Sequence, residues 1–419
     1  MRTAPSLDSC KSDTVVRSAL IRRVRLGLII GSLTALAPLS IDLYLPALPE
    51  LTHDFRVSAS EGQITLTACL VGLALGQIVF GPLSDRLGRR PPLLVGLAAY
   101  AAASFACAFA QSLWLLVALR LVQGLAGAAG IVIARAIVRD LRSGAAAARV
   151  FSYLMLVTGM APILAPILGA QLLRVTTWNG LFVALAIVGF ALLLATASGL
   201  DETLPASRRR RGSVHETVHT SISLLRDRVF LGYALVLGLA FGELFSYIAG
   251  SPFILQDTYG VSPQLYGGVF ALNALGLVVS GQINAALVGR IAPAHLLAFG
   301  VALSAVAGLC LLAVVLVGGI GLAGILPCLF AVVASLGFVM PNATALALTD
   351  YPHVAGSASA LLGVLQFLIG AAVAPLAGVA GSESAVPMAV AIAALAVGGV
   401  GALDLSRRAA LDRQPDRTR

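Results

Sequence analysis

Apolar residues fill this chain in long unbroken runs separated by short polar turns, with neither the two-residue alternation of half-buried strands nor the narrow stripe of a soluble amphipathic helix. A run of about 20 mostly apolar residues is enough to cross a bilayer as a helix. Six such runs come first, at about 25–46, 62–82, 92–110, 113–136, 150–173 and 179–199. A polar stretch at about 201–228 follows, and then six more runs at about 229–251, 265–289, 294–317, 320–341, 355–378 and 385–404. The pattern predicts an all-α membrane protein of twelve transmembrane helices in two six-helix halves. The expected organisation is an N-terminal tail (1–24), a first bundle (25–200), a central loop (201–228), a second bundle (229–404) and a C-terminal tail (405–419), charged and expected to be disordered from Arg407. Ala35-Leu36-Ala37 resembles a signal-cleavage site, but Pro38 follows and the apolar run continues, so the first helix is read as uncleaved.

Composition agrees. Hydrophobic residues make up 58% of the 419 residues and charged residues only 11%, against about 25% charged in soluble domains. The net charge of +9 does not point to nucleic acid, because the basic residues stand in short loops beside apolar runs. With the twelve runs laid out, 25 of the 28 basic residues fall on one side, among them Arg208-Arg209-Arg210-Arg211. Only Arg56 and Arg174 lie opposite, and Arg120 is left inside a run. That split predicts a multi-pass protein of the inner or plasma membrane with both termini cytoplasmic. Four of the five cysteines lie in apolar runs and none has metal-ligand spacing, so no metal and no cofactor are expected. GxxxxGK[ST], HExxH and GxSxG are absent, which argues against an ATP-driven pump or a common membrane hydrolase.

The halves look like copies. Gly76-Gln77-Ile78 recurs as Gly281-Gln282-Ile283, and Pro46 matches Pro252 at nearly the same offset, as expected of a parallel repeat. The segment Gly81-Pro82-Leu83-Ser84-Asp85-Arg86-Leu87-Gly88-Arg89-Arg90 is read as the loop between the second and third helices. Its glycines permit a tight turn, and Asp85 can sit at a helix N-terminus or pair with an arginine. Contacts of that kind, made in one conformation and broken in another, would bias a rocking motion. Leu119-Arg120-Leu121-Val122-Gln123-Gly124 carries an arginine within a span, which requires a polar cavity or an acid beside it. The fifth helix carries Pro162, Pro166 and Gly169, which suit a kinked, closely packed helix.

These segments resemble motifs of the major facilitator superfamily: G-x-L-x-D-R-x-G-R-R/K, R-x-x-Q-G, and a degenerate antiporter motif in the fifth helix, where Ala161, Ala165 and Ala170 replace glycines. Leu39-Ser40-Ile41-Asp42-Leu43-Tyr44-Leu45-Pro46, Arg135-Ala136-Ile137-Val138-Arg139-Asp140 and Ala355-Gly356-Ser357-Ala358-Ser359-Ala360 resemble the superfamily's Bcr/CflA drug-resistance branch. The resemblance implies the major facilitator fold and a drug:proton antiporter working by alternating access on small drug-like substrates. Export or import of a native metabolite such as an amino acid, sugar or siderophore is the alternative on the same fold. A monomer in the bilayer, with no enzymatic activity, is expected.

The residues read for these roles are Asp42, Arg120 and Glu243 for proton coupling, with Asp42 as the carrier. Asp42, Tyr44, Gln123, Phe241, Tyr247 and Asn273 are read for substrate, with further aromatic candidates at Phe245, Tyr266 and Phe270. Gly81, Asp85, Arg86, Gly88, Arg89 and Asp140 are read for the conformational switch, and Pro162, Pro166 and Gly169 for the antiporter-type helix. Helical rise puts Asp42 about 24 Å from the inner surface, Arg120 about 10 Å from the outer one and Glu243 about 21 Å up. In an apolar core about 30 Å thick, all three could share one outer-half cavity. Glu243 belongs to none of the resembling motifs.

Overall fold

The computed structural model describes residues 7–141, 144–209, 222–351, 354–379, 381 and 384–412, with side chains except at 7–24, 144–153, 155, 156, 208, 355 and 412. Arg2, Arg142, Arg210, Arg211, Arg413, Arg417 and Arg419 therefore lie outside the described residues, as do the side chains of Lys11, Arg17, Arg22, Arg23, Arg149 and Arg208. The long helices are α1 (Leu7–Asp42), α2 (Ala59–Leu87), α3 (Arg90–Cys107), α4 (Leu113–Leu141), α5 (Gly144–Leu172), α6 (Trp178–Gly199), α7 (Arg228–Phe253), α8 (Pro263–Leu287), α9 (Pro293–Val317), α10 (Leu322–Leu348), α11 (Ala355–Val373) and α12 (Val386–Asp412). No β-strand occurs among the described residues, and ten of their helices are long and apolar enough to cross a membrane.

The helix ends follow local chemistry. Ser58 and Glu61 form a reciprocal capping box at the start of α2, which satisfies N–H groups that a helix start leaves open. Asp227 accepts from the Val229 and Phe230 amides at the start of α7. Ser262 caps α8, with Pro263 in its first turn. α1 stops at Asp42, short of the expected 46, because Pro46 and Pro49 follow; the chain turns into a 3-10 turn (Leu45–Ala47) and a short helix (Leu48–Phe55).

Two expectations are corrected, and one segment left open is filled in. The stretch 81–90 is mostly not a loop: α2 runs through Gly81, Pro82 and Asp85 to Leu87, leaving only Gly88 and Arg89 before α3. Gly88, at φ 96°, makes the turn, whereas Gly81 is helical. The segment before residue 25 is helical from Leu7. The stretch from Arg407 is helical as far as it is described: α12 continues to Asp412, with an Arg408–Asp404 ion pair at 2.7 Å one turn apart.

Within each half the helices pack closely through small residues. A Cβ on Gly72 or Gly76 would overlap the α4 backbone, and one on Gly124 the Cys69 carbonyl of α2. Such close backbone approach suits helix association in lipid. Between the halves, α5 meets α8, α2 meets α11, and the chain just after α1 meets α7 and α8. Among the side-chain hydrogen bonds that cross this seam are Ser60 to the Pro375 carbonyl, Gln63 to Ala249 and Thr67 to Ala371, each at 2.9 Å, and Gln264 to Ala170 at 3.0 Å. All four lie toward the end opposite the Arg86–Arg90 turn. At the arginine-rich end the hydrogen bonds of Arg89, Arg90 and Glu202 lie within the first half.

Candidate functional site

The site is built where α1 stops. Asp42 is the last residue of α1 and is 4% exposed. Gly169 of α5 lies against the next carbonyl, Leu43, so closely that any side chain there would overlap it. One turn earlier on α5, the Pro166 carbonyl is approached by Gly267 of α8. The Pro166–Gly169 turn of α5 therefore brings the end of α1 and a helix of the other half to one place. Asp42 also stands within electrostatic reach of the Tyr247 and Tyr266 phenols of α7 and α8.

Arg120 on α4 is fully buried, and of the two expected surroundings, a polar cavity or an acid, no acid is paired with it among the described residues. Its Nη1 donates to the Ser40 carbonyl at 3.0 Å and to Gln123 Oε1 at 2.6 Å, and its Nε to the Thr65 carbonyl at 3.4 Å. The guanidinium lies 4.5 Å from the Tyr44 ring centroid and 5.6 Å from that of Phe182, a favourable arrangement for a desolvated cation. Among the described residues no ion pair joins Arg120 to Asp42. Backbone carbonyls, an amide and two aromatic faces hold the charge, and Nη2 remains without a partner.

Gln123 passes the network on, donating to Ser104 Oγ at 2.7 Å. Tyr44 bonds Thr65 at 3.0 Å. Across the seam, Asn273 donates to the Tyr247 hydroxyl at 2.9 Å, and Tyr247 stacks on Phe270 at 5.3 Å. Tyr44, Gln123, Tyr247, Tyr266, Phe270 and Asn273 are all buried, in two groups: Tyr44 and Gln123 around Arg120 in the first half, and the other four in the second. Phe241 is only half-buried, with Phe245 at 4.8 Å and Phe367 at 5.3 Å. Glu243 does not join the Asp42–Arg120 region. It is buried within the second half, where Ser304 of α9 donates its hydroxyl to the carboxyl.

A second constellation sits at the arginine-rich end. Arg89 donates to Asp140 Oδ2 at 2.8 Å, Asp85 Oδ1 at 2.5 Å and Ser84 Oγ at 2.9 Å. Asp85 pairs with arginine, and it does so near the C-terminal end of α2, not at a helix N-terminus. Glu202, just past α6, accepts from the backbone amides of Arg89 at 2.8 Å, Arg90 at 3.1 Å and Leu204 at 3.0 Å. Partial burial works against its charge, but these amides and that of Thr203 outweigh it and hold the carboxyl below the usual glutamate range. Arg86 is exposed. Sequence reasoning missed Glu202, Ser40, Thr65 and Ser104. All four act on groups distant in sequence, and Ser40 and Thr65 meet Arg120 through their carbonyls, so no spacing flags them. Among the described residues no cluster of His, Cys, Asp and Glu could hold a metal.

Comparison with known proteins gives the frame for this geometry. The model of the Major Facilitator Superfamily matches residues 30–375. The chain is 42% identical over 368 residues to the "Uncharacterized MFS-type transporter YdgK" of Bacillus subtilis (strain 168), covering 87% of this chain and 91% of that protein. It is 33% identical over 336 residues to "Multidrug resistance protein MdtL" of Escherichia coli O9:H4 (strain HS), covering 80% and 83%. It is 29% identical over 364 residues to the "Bicyclomycin resistance protein homolog" of Haemophilus influenzae (strain ATCC 51907 / DSM 11121 / KW20 / Rd), covering 86% and 90%. Among solved structures, that of a D-xylose-proton symporter superposes with a TM-score of 0.73 at 15% identity, covering 91% of this chain and 97% of the other, a likeness of fold alone.

Proposed function

Because the chain belongs to the Major Facilitator Superfamily, in the branch of the bicyclomycin- and multidrug-resistance proteins, we propose that it is a drug:proton antiporter. It exports drug-like small molecules from the cell by alternating access. In this reading α3 and α5 complete twelve spans, both termini and the arginine-rich end face the cytoplasm, and the monomer works in the cell membrane. The two bundles are residues 25–200 and 229–404.

The observation that carries the reading is Asp42. A carboxyl buried at the junction of both halves, with no described cation paired to it, is costly as an anion. It can stay there neutral, or charged when a cavity or a cationic substrate reaches it. Arg120 cannot give up its proton at any working pH, so it sets the field without carrying the proton. When the site opens outward, Asp42 takes a proton and drug leaves. When it opens inward, the proton leaves and drug binds. Sharing one site makes the exchange obligatory, and the proton gradient drives it.

Tyr44, Gln123, Phe241, Tyr247 and Asn273 are proposed to form the drug surface once the seam opens, with the half-buried Phe241 as its first exposed aromatic. Glu243, against Ser304, is proposed as a second protonation site in the other half. Gly81, Asp85, Arg86, Gly88, Arg89 and Asp140 form the switch at the cytoplasmic end, and Pro162, Pro166 and Gly169 carry the seam past Asp42. The seam bonds at Ser60, Gln63, Thr67 and Gln264 close the outer end, as in an inward-facing or occluded state. The test is efflux in an efflux-deficient host expressing this chain, across cationic and neutral antibiotics. Resistance that collapses with a protonophore supports the reading, and no change in susceptibility across the panel would refute it.

A further inference from the structure

Three guanidinium groups from separate segments gather at the arginine-rich end of α6. Arg25 of α1 donates from Nη2 to Ser198 Oγ at 2.8 Å. It also lies over Gly199, where an added Cβ would stand 2.6 Å from its Nε. Arg90, at the start of α3, donates from Nη2 to the Ala197 carbonyl at 2.7 Å, and its Nε is buried with no partner. Arg209, in the polar stretch after α6, reaches back over the turn: a Cβ on Gly88 would stand 3.0 Å from its Nη2.

The local acids do not cancel this charge. Glu202 directs both oxygens at backbone amides, and Asp201 has an interaction of its own. Counting both carboxylates in full still leaves three positive groups against two. Just inside the bilayer from the arginines the wall is apolar and open. Leu28, one turn along α1 from Arg25, is 66% exposed, and Leu194, one turn back along α6 from Ser198, is 53% exposed. A basic rim over an exposed apolar wall fits a molecule with an anionic head and hydrocarbon tails. Basic pockets between helix ends on the cytoplasmic side suit anionic lipid headgroups for this reason.

We propose that the ends of α1, α3 and α6 form a binding site for one anionic phospholipid, with Arg25, Arg90 and Arg209 on its headgroup phosphate and Leu28 and Leu194 against its acyl chains. The site shares the Gly88 turn and Glu202 with the Arg89 cluster, so an occupied site stiffens the α2–α3 turn.

The test is thermal unfolding of the purified full chain in detergent, titrated with phosphatidylglycerol, phosphatidylcholine or inorganic phosphate. The wild type should be stabilised by phosphatidylglycerol far more than by phosphatidylcholine, and not by inorganic phosphate. In the Arg25→Gln/Arg209→Gln variant, where the amide introduced on α1 can still bond Ser198, half-saturation should need about 30-fold more phosphatidylglycerol, at roughly fivefold per arginine. Arg226→Gln, at an exposed arginine near the end of the central loop, should respond as wild type. An unchanged response in the double variant overturns the site. So does equal stabilisation of the wild type by the two lipids, or its reproduction by inorganic phosphate. Should the double variant fail to fold, the wild-type lipid comparison decides.

Discussion

Arg89 holds Asp140 with Nε 2.8 Å from Oδ2, tying the two-residue turn between α2 and α3 to the end of α4. The same guanidinium holds Asp85 one turn back on α2. Burial opposes the charge on Arg89, and the two carboxylates outweigh it and bind its proton more tightly than in a free arginine. Replacing Arg89 by Ala leaves Asp140 without its cation. The expected cost is about 3 kcal/mol of stability in the first half, with slower transport and near-normal drug binding. Arg89→Lys keeps charge but loses the two-sided fork, and should recover stability better than rate. Melting temperature, binding and efflux rate, measured together, check this. A rate equal to wild type in Arg89→Ala would reduce the cluster to an orientation signal.

Glu202 gives a pH dependence with a definite sign. Its carboxyl is held below the ordinary value of 4.5 in the folded chain. Its contribution is therefore complete above the unfolded value and lost as pH falls through the folded one. Wild type should be more stable than Glu202→Gln at pH 6–8, and the gap should close on acidification below about 4. Melting curves of both proteins across that range provide the check. A gap that stays constant into acid would mean that the charge does not matter.

These two clusters mark how far the sequence can be read. Apolar runs of span length announce themselves, because lipid demands about 20 apolar residues wherever the chain crosses. The end of α2 does not. Pro82 removes one helix hydrogen bond and argues for a stop, yet the α4 packing and the Asp85–Arg89 pair carry the helix to Leu87. The pairing of Asp85 is legible, since acid and arginine stand four residues apart. The hold of Glu202 on the turn is not, because the Arg89 and Arg90 amides lie 113 and 112 residues away. Arg120 is legible as a costly intramembrane charge, but its partners are backbone carbonyls, which every residue owns. Asp42 stands in a family-resembling segment and Glu243 does not, but their depths alone allowed one shared cavity; packing separates them, one at the seam and one against Ser304.

Glu243 and Ser304 form an acid–hydroxyl pair buried in the second half. Glu243→Gln keeps an oxygen for the Ser304 hydroxyl and should fold as wild type. Glu243→Leu leaves that hydroxyl without its partner and should cost about 1–3 kcal/mol. Thermal unfolding of the two purified variants distinguishes them, and equal melting would show that the hydrogen bond adds nothing.

The outer seam rests on neutral bonds. Gln63 donates to the Ala249 carbonyl and lies close against Gly378. Gln63→Ala should loosen closure at that end by about 1 kcal/mol, and so raise outside labelling of a cysteine placed at Thr67 about fivefold. Because these four seam bonds involve no titrating group, that gain should be the same at pH 6 and pH 8. A gain that vanishes at one pH would place an ionisable group in the closure.

Asp42 carries the central claim, and Asp42→Asn tests it by fixing the neutral form. In proteoliposomes with an imposed proton gradient, drug accumulation and proton release should be followed together on the same folded variant. The account predicts that Asp42→Asn lets drug equilibrate across the membrane, does not concentrate it, and releases no protons on drug addition. Accumulation against the gradient with normal proton release would contradict it, and Glu243 would become the leading proton site.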